Sequence, residues 1–276
     1  MAKALLGYIE RRSPVHRLTG TAKLLLVIML IIAAAITFDV RLLVVLAAMN
    51  IGLWFASHIK FSDMKVVITI IAVFMVLNNV MIYVFSPMYG TELFGTTHMI
   101  WDGPGRWNLT WEQLYYQSLV TLKYFAVLPA VLVFVATTIP SEFASSLNKI
   151  GVPYRFSYAV ALALRFIPDV QREFKTVSLA QQARGLDISR KVSLGTRIKN
   201  VARILMPLLL STFDRIETIA ASMELRGFGR NSKRTWFAAR SLKAADIAVV
   251  LVGITAVGAA IVLLNVNDGR FFNPFV

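Results

Sequence analysis

Charged residues are nearly missing from long stretches of this chain and then arrive in clusters, and that spacing divides it. Five apolar runs, Ala22 to Phe38, Leu42 to Ser57, Val66 to Phe85, Ser118 to Thr138 and Ala245 to Leu264, read as membrane-crossing helices. A crossing helix needs roughly 17 to 25 mostly apolar residues. The first two runs are short, and only Asp39-Val40-Arg41 separates them. If both cross, they form a tight hairpin.

Between Pro140 and Ala244 the pattern changes, because charges interrupt every apolar run. The positions Phe156, Val160, Ala163, Ile167, Val170, Phe174 and Val177 follow the 4-3 spacing of one helix face, and so do Ala202, Met206, Leu209, Phe213, Ile216, Ala220 and Met223. Two helices with such seams can pack on each other or lie against the membrane interface. Pro168 and Pro207 fall inside them and are expected to bend or locally break each helix. Upstream, Ile139-Pro140-Ser141-Glu142 reads as a helix start with Ser141 as N-cap.

Composition supports a chain partly in lipid and partly outside it. Its 276 residues are 57% hydrophobic and 16% charged, with a mean hydropathy of +0.65. The formal charge of +14 fits a positive face beside anionic headgroups better than a nucleic-acid surface. With no cysteine, disulfides and thiolate metal sites are excluded. Loop charges then orient the chain. The leader carries Lys3, Arg11, Arg12, Arg17 and Lys23 against Glu10, and the second connection carries Lys60 and Lys65 against Asp63, so both read as cytoplasmic. The loop from Ser86 to Gln117 has Glu92, Asp102 and Glu112 against Arg106, with Trp101, Trp107, Trp111, Tyr115 and Tyr116, and reads as external. Pro140 to Ala244 holds eighteen Lys or Arg against seven acids and belongs inside. The expectation is an all-α membrane protein of about five transmembrane helices plus a cytoplasmic domain: a membrane region of four helices over 1–139, a cytoplasmic domain over 140–244, and a last crossing with an outer tail over 245–276. A secretory signal peptide over the basic leader and Leu24 to Ala35 is the alternative for the first run, but further spans follow it, which favours a retained anchor.

Candidate chemistry is sparse. No Gly-x-x-x-x-Gly-Lys-Ser/Thr phosphate loop occurs, so the chain cannot supply an ATP site of that kind. His16, His58 and His98 are far apart in sequence and are not read as one metal site, Gly103-Pro104-Gly105 is read as a loop turn, Asn78 and Asn79 as interhelical hydrogen-bonding groups, and Lys123 as a residue snorkelling from a span end. A stand-alone secondary carrier or channel is the alternative function, and it needs ionisable groups deep in several spans. A membrane enzyme needs paired carboxylates or a His cluster there. The middles of the spans offer neither set.

What remains is a repeated ending. The two amphipathic stretches close on Ala183-Arg184-Gly185-Leu186 and on Leu225-Arg226-Gly227-Phe228. A Gly just past a last helical turn is a left-handed cap, and Arg in that last turn complements the helix dipole, so local structure explains one such ending. Two matched endings also suit a pair of Arg forks docking into carboxylate-lined grooves. Together with Ser13-Pro14-Val15-His16-Arg17-Leu18, Lys23-Leu24, Thr137-Thr138-Ile139-Pro140-Ser141-Glu142, Gly151-Val152-Pro153 and Leu164-Arg165-Phe166-Ile167-Pro168, they make nearly the whole chain resemble the transmembrane coupling subunit of energy-coupling factor (ECF) transporters, EcfT, and the related CbiQ proteins. It departs at Thr19-Gly20-Thr21, where the family often has Asp-Pro-Arg, and at Leu225, where an Ala is usual. The resemblance implies a non-catalytic subunit of an ATP-driven vitamin or metal-ion importer in the cell membrane. Ala183, Arg184, Gly185, Leu225, Arg226 and Gly227 would dock two ABC ATPase subunits, EcfA- and EcfA'-like, which bind the ATP and Mg. Phe156, Val160, Ile167, Phe174, Met206, Leu209 and Phe213 would contact a small substrate-binding S component. No cofactor and no nucleic acid is implied for this chain.

Overall fold

The computed structural model describes residues 8, 9, 11, 13–103, 107–188, 192–230, 235–237 and 239–275. Among these the chain is helical apart from one short two-stranded ladder. The elements in order are α1 (Pro14–Arg17), α2 (Gly20–Ile36), α3 (Val40–Ala56), a 3-10 turn (Phe61–Asp63), α4 (Lys65–Phe85), α5 (Tyr89–Phe94), β1 (Met99–Trp101), β2 (Leu109–Thr110), α6 (Trp111–Thr137), α7 (Pro140–Lys149), α8 (Tyr154–Ala183), α9 (Leu194–Leu225) and α10 (Ala244–Val266). They form two compact units, one of Met1–Glu142 with Arg240–Val276 and one of Phe143–Ala239.

In the first unit α4, α6 and α10 are long and apolar enough to cross a membrane, while α2 and α3 are apolar but have 17 residues each. At 1.5 Å per residue these two reach about 25 Å, just short of a typical hydrocarbon core. Helix α2 packs against α10 and α6, and α3 packs against α6. The core between them holds Leu30, Leu43 and Leu119 with a run of small residues, Ala33, Ala126, Ala130, Ala256 and Ala260. Small side chains let helix backbones approach where lipid supplies no hydrophobic drive. Gly253 lets α10 come close to α2: a Cβ there would lie 2.6 Å from Met29 Sδ.

Polar groups inside this core are placed against backbone. Asn50, fully buried on α3, donates Nδ2–H to the Ala126 carbonyl at 2.6 Å, in the turn before Pro129 of α6. Lipid offers no water to an amide at this depth, so its partner must come from the protein. Helix α4 is the outlier, with no buried residue of its own. Asn79 joins it to α6 by donating to Thr121 Oγ1 at 3.1 Å, and Gln117 Nε2 donates to the Asn79 carbonyl at 3.3 Å, the interhelical use read from the sequence.

Four sequence expectations change. Helix α6 starts at Trp111 rather than near Ser118, because Thr110 caps it through Gln113 N–H and the buried Glu112 carboxylate gathers Thr96 and His98. Lys123 is therefore well inside α6 rather than near its end, and its Nζ lies 3.1 Å from the Phe38 ring centroid. Helix α7 begins at Pro140, whose fixed φ and missing donor suit the first helical position, so Ser141 is in the first turn and not the N-cap. Helices α8 and α9 run unbroken through Pro168 and Pro207, both exposed, where the carbonyl left without a donor costs little. Pro104 and Gly105 of the predicted loop turn lie outside the described residues, as do Lys3, Glu10 and Arg12 of the leader.

One end of the first unit is a buried polar junction. Asp246 at the start of α10 accepts Thr19 N–H at 2.7 Å through Oδ1 and Lys243 N–H at 2.8 Å through Oδ2. Glu142 of α7 accepts Gly20 N–H at 2.9 Å. Two carboxylates from distant elements thus cap the first turn of α2, where free N–H groups and the helix dipole favour negative charge. The buried Lys23 ammonium donates to the Thr137 carbonyl at 2.9 Å and so caps the C-terminal end of α6. Arg240 lies 3.9 Å from Glu142, clasping the points where the chain leaves and re-enters this unit. The Thr19-Gly20-Thr21 departure falls at this junction, with Thr19 as the N-cap of α2. Asp246→Ala leaves the buried Thr19 N–H unpaired and undoes the cap of α10; the expected loss is about 3 kcal/mol, read as a drop of several degrees in thermal unfolding of the detergent-solubilised chain, with Asp246→Asn losing less.

Beside the junction, His16 of α1 donates Nε2–H to the Ile9 carbonyl at 2.9 Å, which leaves Nδ1 to accept from Ser13 Oγ at 2.7 Å. Burial holds this imidazole below the usual histidine range against the pull of the Ile9 carbonyl, and the positive Lys23 and Arg11 push it the same way as burial. A histidine with a lowered folded value stabilises fully above its unfolded pKa and less as pH falls through the folded one. Acidification from neutral pH is therefore expected to loosen the leader, seen as faster proteolysis before α2, and His16→Gln to flatten that dependence.

Candidate functional site: two capped arginine tips

In the second unit α8 and α9 run antiparallel. Glu173 near the middle of α8 accepts from Ser211 Oγ at 2.9 Å and pairs with Arg215 at 2.8 Å, both on α9, and the Arg215 guanidinium stands 5.5 Å from the Phe166 ring centroid. The C-terminal end of each helix lies by the start of the other: Asn200 of α9 donates to the Asp187 carbonyl just past α8, and Tyr158 of α8 packs on Phe228 just past α9. The Arg-Gly endings therefore sit at opposite ends of the pair. Helix α8 has 30 residues, so that separation is on the order of 45 Å.

Both endings have the same backbone. Arg184 and Arg226 are the C-cap residues, one position beyond the last helical turn in which the sequence reading set them. Gly185 and Gly227 follow with φ of 86° and 67°. At the first tip Gly185 N–H bonds to Gln182 O at 2.9 Å and Leu186 N–H to Gln181 O at 3.0 Å; at the second, Gly227 N–H bonds to Glu224 O at 2.8 Å and Phe228 N–H to Met223 O at 2.9 Å. These crossed pairs are the Schellman closure, which satisfies carbonyls that a helix end otherwise leaves open. Helix α7 closes in the same way at Gly151-Val152, so the Gly151-Val152-Pro153 segment is a third such cap.

The tips differ in bracing. Phe228 sits in an aromatic cluster with Tyr158, Tyr154 and Trp236, at centroid distances of 4.7 and 5.7 Å from the two tyrosines, and Trp236 is 5.3 Å from Tyr154. Trp236 Nε1–H donates to Asn148 Oδ1 at 3.1 Å, and Arg155 donates to the Gly229 carbonyl at 2.7 Å. The first tip is tied by the buried Asn200 at 2.7 Å. Motif reading pointed to neither the cluster nor Asn200; the i, i+4 spacing of Tyr154 and Tyr158 was the one visible trace.

Both guanidinium groups are exposed, and neither has an ion-pair partner among the described residues. Ala183 is exposed, and Leu225, in the place of the usual Ala, is 89% exposed. Of the residues read as a partner-binding seam, Phe156, Ile167, Met206, Leu209 and Phe213 are at least half exposed, while Val160 and Phe174 are half-buried. The inner face of α9 is instead carried by Ile204 and Leu208, which are buried. Among the described residues no group of three or more His, Asp or Glu side chains could hold a metal ion.

Apolar helices that can span a bilayer, joined to an antiparallel pair with two exposed arginines, define an all-α membrane protein. The CbiQ family, described as cobalt transport protein, matches residues 11–236. The chain belongs to this family, and the EcfT resemblance carried by its Arg-Gly endings holds. It is 28% identical to the energy-coupling factor transporter transmembrane protein EcfT of Streptococcus equi subsp. equi, over 93% of this chain and 96% of that protein. It is 28% identical to EcfT of Bacillus selenitireducens over 83% and 84%. EcfT of Limosilactobacillus fermentum is 36% identical over 151 residues, which span 51% of this chain and 56% of that protein.

A Cβ on Gly185 would meet nothing within 4 Å, so Gly185→Ala isolates the cost of the left-handed backbone, roughly 1 kcal/mol. Unfolding of the purified chain is expected to show that loss for Gly185→Ala and a smaller one for Gly185→Asn, which tolerates this conformation.

Proposed function

We propose that this chain is the coupling subunit of an ECF-type importer. The observation that carries the reading is the pair of matching caps holding two exposed arginines at opposite ends of one helix pair, in a chain of the CbiQ family. Two cationic tips about a helix length apart suit two separate partner molecules, and an Arg fork suits a carboxylate-lined groove. The partners in this reading are two ABC ATPases that bind ATP and Mg and perform the hydrolysis, so this chain itself is not an enzyme. Because the caps make each tip continuous with a 30-residue or 32-residue helix, a push at an arginine displaces the whole helix.

The exposed seam of Phe156, Ile167, Met206, Leu209 and Phe213, with the half-buried Val160 and Phe174, offers the apolar surface for a small membrane S component carrying a vitamin or a metal ion. Tilting of the helix pair would reorient that component in the bilayer. In this reading, which the loop charges support, the leader and the second unit are on the cytoplasmic side of the cell membrane and the C-terminus is outside, with α2 and α3 crossing as a hairpin beside α4, α6 and α10. The transported substrate is then chosen by the S component.

Truncating one partner of a buried charged pair typically costs 2 to 5 kcal/mol, so Arg184→Ala or Arg226→Ala is expected to weaken ATPase capture by at least about thirtyfold. The double substitution is expected to abolish ATPase copurification and uptake while the chain stays in the membrane. Retained copurification in the double variant would sink the reading.

A further inference from the structure

Beside the outlying helix α4 lies a groove that the coupling role does not use. Its volume is about 300 Å³, and its walls are apolar side chains of α3, α4 and α6, including Trp54, Phe55, Ile68, Ala72, Phe125 and Leu128. All three helices belong to the membrane unit, so the natural filler has hydrocarbon chemistry. One end of the groove is basic. It is closed by Phe61 of the 3-10 turn, which stacks on Trp54 at 5.3 Å, and that turn lies between Lys60 and Lys65. Asp63 there is neutralised by Arg11 at 2.5 Å, while Lys60 and Lys65 are exposed with no ion-pair partner among the described residues.

The first turn of α4 has no side-chain cap, since Met64 holds the N-cap position. Trp54 is 5% exposed, and its Nε1–H has no acceptor among the described residues. Apolar walls, two lysines and a helix start without a side-chain cap together fit one molecule with a hydrocarbon tail and a negative head.

We propose that this groove holds one acyl chain of an anionic phospholipid, with Lys60, Lys65 and the first turn of α4 binding its phosphate and the Trp54 ring lying along the chain. Such a lipid fills the gap that the loose packing of α4 leaves and fixes that helix against α3 and α6. The site depends on the membrane placement of these helices and not on the ATPase-docking reading.

The test uses the full chain in phosphatidylcholine vesicles holding a minor fraction of phosphatidylglycerol, with bromine on the acyl chains of one lipid or the other. Trp54 emission is taken as the difference between the native chain and Trp54→Phe. Brominated phosphatidylglycerol is expected to quench Trp54 several-fold more than brominated phosphatidylcholine at equal mole fraction, and Lys60→Gln and Lys65→Gln each to cut that preference roughly fivefold. Ala72→Phe, which fills the groove and leaves the fluorophore in place, is expected to remove most of the quenching. Equal quenching by the two lipids would mean ordinary boundary lipid and would overturn the proposal. So would the absence of quenching by either, which would mean that a protein helix covers the groove.

Discussion

In hydrocarbon every backbone N–H and C=O must find its partner within the protein, and this constraint organises the membrane unit. The buried junction at one end answers it with side chains borrowed from distant segments. Asp246 and Glu142 cap α2, and Lys23 caps α6. Each carboxylate meets helix N–H groups and the lysine meets a helix carbonyl, so the charges lie along the dipoles they complement. The result fixes the start of α2, the end of α6, the start of α7 and the start of α10 relative to one another. The opposite end of the unit repeats the logic: Asp39 caps α3, Asn267 donates to that same carboxylate, and Arg270 donates to the last carbonyls of α2.

Packing between these ends is uneven, and the unevenness has a cause. Helices α2, α3, α6 and α10 meet through alanines and Gly253, which permit close backbones and leave little room for anything else. Helix α4 carries bulky Val, Ile and Phe on most of its exposed surface and is hydrogen-bonded to α6 at Asn79. No residue of α4 is buried, and the groove lies where its Ala72 faces the larger side chains of α3 and α6.

The second unit solves a different problem, which is to present charge on a rigid support. A flexible arginine loses entropy when it binds; one held on a capped helix end has lost part of it already. The shared Schellman closure supplies this at both tips, yet the surroundings are unequal, with an aromatic cluster behind Phe228 and a single buried Asn200 near Asp187. The tip carrying Arg226 is thereby tied to the start of α8, and the tip carrying Arg184 to the start of α9.

By itself the sequence determined the element plan. Apolar runs and seam spacing located the long helices, the loop charges divided the chain, and Gly185 and Gly227 marked the caps, because periodicity and left-handed glycine are local properties of the chain. The start of α6 at Trp111 escaped that reading because it depends on Glu112 meeting His98 across a loop. The unbroken course of α8 and α9 escaped it because the cost of a proline depends on whether the freed carbonyl is exposed. Only the tertiary structure decided that Asp246, Glu142 and Lys23 form one junction, that the two arginines point from opposite ends of an antiparallel pair, and that Met206, Leu209 and Phe213 stay outside while Ile204 and Leu208 turn in. Each of these rests on partners far away along the chain, and no spacing rule reaches across that distance.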